Sequence, residues 1–312
     1  MEAKLDEVGT CMQISVPKTF TVVLIAALLT SGAVAAYYLV PFTTYQYEHI
    51  EGTRAAIVDA LSELDPNPEF ESTATQYLTQ AGMLVDVYSS AQITVDFMKS
   101  FPAGYVLVVF RVHSATGRDG VFYFTAESYD ESKYQPEQYR DELREGKDYE
   151  GHPPVFTFGA KFVDTYLRDR FQGAVIIGMG CFGAGTSFGT DGEVTVPDVK
   201  TQRGPNLADA FYHQGALAVI GWDSLVALEF SDRATIRLLK ALAIQRLTIK
   251  QATDAANIEV GEDPVYGARL VFYPEHNGER TLLLPQQPSE VQTSELTPMI
   301  LLVNYRKPAD QI

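Results

Sequence analysis

Cysteine is nearly absent from this chain: its 312 residues include only Cys11 and Cys181. Two thiols cannot build a disulfide scaffold. A zinc site needs three or four ligands, and the five histidines and two cysteines form no cluster at metal-binding spacing, so no metal or cofactor is expected. Basic residues are also scarce, with 24 Lys and Arg against 40 Asp and Glu and a formal net charge of −16. Such a surface repels nucleic acid and mildly favours basic partners. Hydrophobic residues make up 46% and charged residues 21%, which argues against a disordered chain and for a folded one with a substantial core. No internal repeat is evident, which argues against a solenoid.

One stretch lacks charge altogether: no Asp, Glu, Lys or Arg stands between Lys18 and Glu48. Within it, the apolar run from Phe20 to Val40 would span roughly 30 Å as a helix, the thickness of a bilayer core. Tyr37 and Tyr38 suit an interface. The expected organisation is a short cytoplasmic segment over 1–18, a transmembrane helix or signal anchor over 19–42 and a linker over 43–53. An α/β domain over 54–275 and a C-terminal extension over 276–312 follow. Ala33-Val34-Ala35 would also suit a signal-peptide cleavage site, but the acidic Glu2, Asp6 and Glu7 and the length of the run favour the anchor. Lys4 and Lys18 precede the run and only Arg54 follows it closely. That bias places the large domain outside the cytoplasm, with the chain a single-pass protein of the cell membrane. Cys11 and Cys181 then lie on opposite sides, leaving the domain with one thiol.

Beyond the linker, short apolar runs alternate with helical patterns. Strands are expected at 83–88, 105–110, 120–125, 174–178, 216–220 and 268–273; residues 54–61 read as a strand or a short helix. Helices are expected at 69–80, 91–100, 159–172, 205–214 and about 232–247, with Asp232 as an N-cap, and another is capped by Thr248. Residues 128–151, charged and rich in Tyr, read as a surface excursion. Alternating strands and helices imply a mostly parallel central sheet with helices on both faces. In such sheets ligand sites gather at the carboxyl ends of the strands.

Two apolar strands run into reactive side chains. One ends at Arg111-Val112-His113-Ser114 and the other at Met179-Gly180-Cys181. If the strands are neighbours, their ends lie about 5 Å apart in the sheet. A thiol is only a few per cent thiolate at neutral pH; an adjacent imidazole can take its proton and later return it to a leaving amine. The backbone N–H groups of Ser114 and Cys181 could hold a developing oxyanion. The glycine-rich run from Phe182 to Gly189 lacks the lysine of a phosphate-binding loop.

An apolar strand ending in His plus a small residue, then a second ending in Cys, resembles the caspase-like cysteine peptidases of clan CD. The stretch from Asn206 to Trp222, followed by Asp232-Arg233-Ala234-Thr235, is similar to the gingipain branch and the related CHAT domains. The resemblance covers roughly residues 54–273. It implies a caspase-like sandwich, a peptide or protein substrate, His113 as general base and acid, and Cys181 as nucleophile. Trp222 and Asp223, after the third buried strand, are expected at the substrate pocket, with Asp59 as an alternative carboxylate; Glu127 lies near the site edge. Two positions depart from the family pattern: Ser114 stands where many members carry Gly, and Gly180 where Ala is commoner. A non-catalytic CHAT-like binding module at the membrane is the alternative reading.

Overall fold

The computed structural model describes residues 49–117, 120–147, 151–184, 207–282 and 284. The first strand, β1 (His49–Asp59), leads to α1 (Pro68–Gln80), β2 (Leu84–Ser89), a short α2 (Val95–Lys99) and β3 (Ala103–Arg111). Next come β4 (Ser114–Gly117), β5 (Gly120–Ser128), α3 (Gln135–Tyr139), β6 (Leu143–Gly146), β7 (Val155–Phe158) and α4 (Ala160–Tyr166). The chain continues through β8 (Val175–Gly178), α5 (Leu207–His213), β9 (Ala218–Trp222), α6 (Leu228–Leu239), α7 (Ile249–Val260) and β10 (Leu270–Tyr273). The first sheet has the order β10-β9-β8-β3-β1-β2. It is parallel throughout except for β10, which runs antiparallel to β9 at the edge.

The central strands are apolar on both faces because both faces are covered. Ala56, Val58, Val108, Phe110, Ile176 and Val219 face one core, shared with α4 and α5. Ala55, Ile57, Leu107, Val109, Ile177 and Ile220 face the other, shared with α1, α6 and α7. Helix α1 starts where its sequence predicts. Asn67 Oδ1 accepts the Phe70 N–H at 3.0 Å, Pro68 occupies the first turn, and Phe70, Ala74 and Leu78 form a buried stripe four residues apart. Thr248 and Gln251 form a capping box at the start of α7.

Several expectations change. The strand expected at 120–125 forms as β5 and belongs to a second, antiparallel sheet of order β4-β5-β7-β6. Residues 128–147, read as part of a surface excursion, carry α3 and β6. The Tyr129 and Tyr134 rings sit 5.0 and 5.2 Å from Phe156. Buried Lys99 reaches from α2 to Glu137 of α3 at 2.6 Å and lies 4.6 Å over the Tyr134 ring. Strand β1 begins at His49, inside the stretch read as linker, where His49 pairs with Ala103. The fold also runs past 275, since Thr281 pairs with Thr248 and Leu282 is buried. Asp232 does not cap a helix: α6 begins four residues earlier, and the side chain turns inward. Among the described residues no helix is long and apolar enough to cross a membrane. The proposed span at 19–42 lies outside the described residues, as does most of the glycine-rich run after Ala184.

Candidate active site

Strands β3 and β8 are parallel neighbours, with Phe110 opposite Gly178. His113 and Cys181 each stand three residues beyond that pair, at the carboxyl edge. The two segments also touch. The Met179 N–H donates to the Phe110 carbonyl at 3.0 Å, and the Ser114 hydroxyl donates to the Cys181 carbonyl.

After β3 the chain enters the second sheet. The Phe124 N–H donates to the His113 carbonyl at 3.0 Å, which ties the residue just past β3 to β5. The half-buried His113 imidazole meets Phe124 edge-on at 6.1 Å.

Gly180 and Ser114 compensate for each other in part. A Cβ on Gly180 would sit 2.6 Å from Ser114 Oγ and 2.7 Å from the Val112 carbonyl. The absent side chain at Gly180 leaves room for Ser114 on one side and for the Val112 backbone carbonyl on the other.

Cys181 is half-buried and lies between both cores. Its Sγ points toward the Val226 carbonyl at 3.8 Å. Burial pushes the thiol above its ordinary range, the hydrogen bond to Val226 opposes this in part, and the nearby Asp263 charge adds to the rise. Phe182, immediately after the cysteine, adopts a left-handed backbone with φ 55°. For a bulky residue that is a strained turn, a kind of strain that clusters at functional sites. The turn is held on both sides: the Phe182 N–H donates to the Ser224 carbonyl at 2.9 Å, and buried Tyr123 donates its hydroxyl to the Gly183 carbonyl at 2.7 Å.

The predicted pocket residues separate. Trp222 is not at the surface; it is 1% exposed, its Nε1–H donates to Ser231 Oγ at 2.9 Å, and its ring packs 5.6 Å from Phe230. An indole so placed offers no face to a substrate. Asp59 is also consumed internally. The buried Arg111 guanidinium reaches Asp59 at 3.0 Å and Asp232 at 2.9 and 3.0 Å, and donates to the Asp65 carbonyl at 2.9 Å. Burial works against the Arg111 charge, but Asp232 and Asp59 outweigh it and raise its pKa. Asp59 moves up because its own burial exceeds the help from Arg111. Glu127 accepts the Val95 N–H at 3.0 Å and pairs with Lys133 at 3.1 Å, so it serves the start of α2. Asp223 is half-buried on the loop that touches the cysteine turn, where it accepts the Arg269 N–H at 2.9 Å.

Sequence reasoning missed Asp263. It is 1% exposed, and its carboxylate accepts the N–H groups of Ala227, Val265 and Tyr266 at 2.7–2.8 Å. It thereby pins two loops behind the cysteine. Its only sequence signal is an acidic residue before Pro264, which marks a turn and no more. Among the described residues no group of His, Cys, Asp and Glu could hold a metal ion.

No family model and no curated protein sequence matches this chain. Among solved structures it is similar to the Arg-specific cysteine proteinase gingipain R, at 13% identity and a TM-score of 0.39. The overlap covers 76% of this chain and 48% of that one, so the chain spans about half the length of its structural neighbour. A likeness at that level carries no argument about activity.

Proposed function

We propose that this chain is a caspase-like cysteine endopeptidase in which Cys181 is the nucleophile and His113 the general base and acid. The observation that carries the reading is the register of β3 against β8, which brings the two residues to equivalent points on one sheet edge. Cys181 Sγ attacks a peptide carbonyl while its proton passes to His113. The carbonyl oxygen gains charge near the N–H groups of Ser114 and Cys181. The C–N bond breaks as the amine takes the proton from His113, and water hydrolyses the thioester to release the acid and restore the thiol. Asp223 is the candidate carboxylate for a basic side chain before the scissile bond. The apolar run from Phe20 to Val40 would tether the domain to the cell membrane with its catalytic part outside the cytoplasm.

The test is cleavage of a peptide library by the full chain. Wild type should cut, and Cys181→Ala should lose activity by roughly 10⁴-fold or more. Activity that survives the substitution would remove Cys181 from the mechanism. Extraction of membranes with alkaline carbonate tests the anchor: the chain should stay with the lipid.

One observation favours a second reading, a non-catalytic caspase-like module that binds a partner at the membrane. The thiol is directed at the Val226 carbonyl, and its surroundings favour the protonated form. Failure of the folded protein to react with an acyloxymethyl ketone would favour that module.

A further inference from the structure

We propose that a cavity beside His113 receives an apolar side chain, of the size of Leu or Phe, from the residue on the leaving-amine side of the scissile bond. The proposal rests on the endopeptidase reading and adds to it a substrate class. The cavity measures about 170 Å³ and lies where the ends of β1, β2 and β3 meet the second sheet. The chain leaves β1 for β2 on one side and leaves β3 for β8 on the other, so the crevice between β1 and β3 is a topological switch point.

Two of its polar side chains are engaged with the backbone. Ser90 Oγ donates to the Ala60 carbonyl at 2.9 Å, and Thr125 Oγ1 donates to the Phe156 carbonyl at 2.8 Å. Most of the lining offered to a guest is apolar, from Leu61, Leu64, Phe124, Ala126 and Val155, with Glu63, Ser128, His113 and His152 beside them. An engineered apolar cavity of about 150 Å³ holds benzene, so the space here suits a Leu side chain or a phenyl ring. Leu64 is 45% exposed at the mouth, which leaves an entrance.

Chemistry assigns the direction. Cys181 follows β8, on one side of His113 in the sheet order, whereas the parallel-sheet residues that line the cavity follow β1 and β2 on the other side. The acyl half of the substrate becomes bonded to Cys181. The amine half takes its proton from His113 and therefore departs on the imidazole side. The first side chain of that half is the one nearest the cavity.

Internally quenched peptides that differ only in the residue after the scissile bond test this, with kcat/KM measured on the full chain. Leu and Phe should exceed Gly and Asp by at least tenfold, within the roughly 10–200-fold of a single apolar contact. Ala126→Phe, which fills the cavity, should bring the Leu/Gly ratio close to one. Leu64→Asp, at an exposed position where the fold is not at risk, should lower the ratio through the mouth alone. Cleavage by wild type with no preference at that position would overturn the cavity as a subsite while leaving the endopeptidase reading intact. Absence of cleavage for every peptide would overturn both.

Discussion

Two clusters share the carboxyl edge of the parallel sheet, only two residues apart along β3, and they differ in kind. Arg111 is 1% exposed, and four of its hydrogen bonds go to two aspartates. Asp59 and Asp232 are buried with it, and Asn67 Nδ2 adds a bond to Asp232 at 2.8 Å that ties the cap of α1 to α6. Past it, His113 and Cys181 are half-buried; His113 lines a cavity, and Cys181 sits between a glycine that makes room for a neighbour and a strained turn. Charge at a strand end therefore does not mark a site. The first cluster is closed on itself and buried, whereas His113 lines a cavity that a ligand could enter.

The comparison breaks most sharply on paired substitutions. Cys181→Ala should abolish peptide cleavage while shifting the urea midpoint little, because it removes one small group. Arg111→Met should do the reverse to the fold, costing about 3–5 kcal/mol by leaving two carboxylates buried without their partner. Adding Asp59→Asn should recover part of that loss. Urea unfolding measures both, and a loss below about 1 kcal/mol for Arg111→Met would show that the cluster is not the scaffold described. A smaller effect sharpens the other half of the contrast. Gly180→Ala drives a methyl against Ser114 and Val112 and should cost about 1–3 kcal/mol. Combined with Ser114→Gly the cost should fall, and strict additivity of the two changes would refute the compensation between them.

Much of the scaffold was legible because its signals are local. The runs at 105–110 and 174–178 are apolar without alternation, as strands covered on both faces must be, and both reactive residues follow such runs. The second sheet was not legible, since Val121 to Thr125 are all buried and their apolar run marks a strand without marking its sheet. Nothing local tells a parallel partner from an antiparallel one. The tyrosines at 129 and 134 looked solvated because their hydroxyls are polar, yet their rings pack on Phe156. Asp59 looked available because its consumer is remote: Arg111 lies 52 residues away, and Asp232 a further 121. A residue at a strand end announces its edge, not its partner.

The smallest effect is the most informative about the state of the site. Burial, with Asp263 nearby, holds the Cys181 thiol above its ordinary range. Alkylation by iodoacetamide follows the thiolate, so its rate in the free protein should rise with a midpoint above that of an unperturbed thiol. Asp263→Asn should move the midpoint slightly down, since it removes a negative charge that disfavours the thiolate. The coupling to folding runs in the same direction. The folded state holds the proton more tightly than the unfolded chain, so the contribution is present below the ordinary thiol pKa and is lost as pH climbs through the raised one. A midpoint below neutrality would mean that His113 already holds the thiolate as an ion pair before substrate arrives. The free site would then be set for reaction, whereas a raised midpoint makes deprotonation a step that substrate binding must drive.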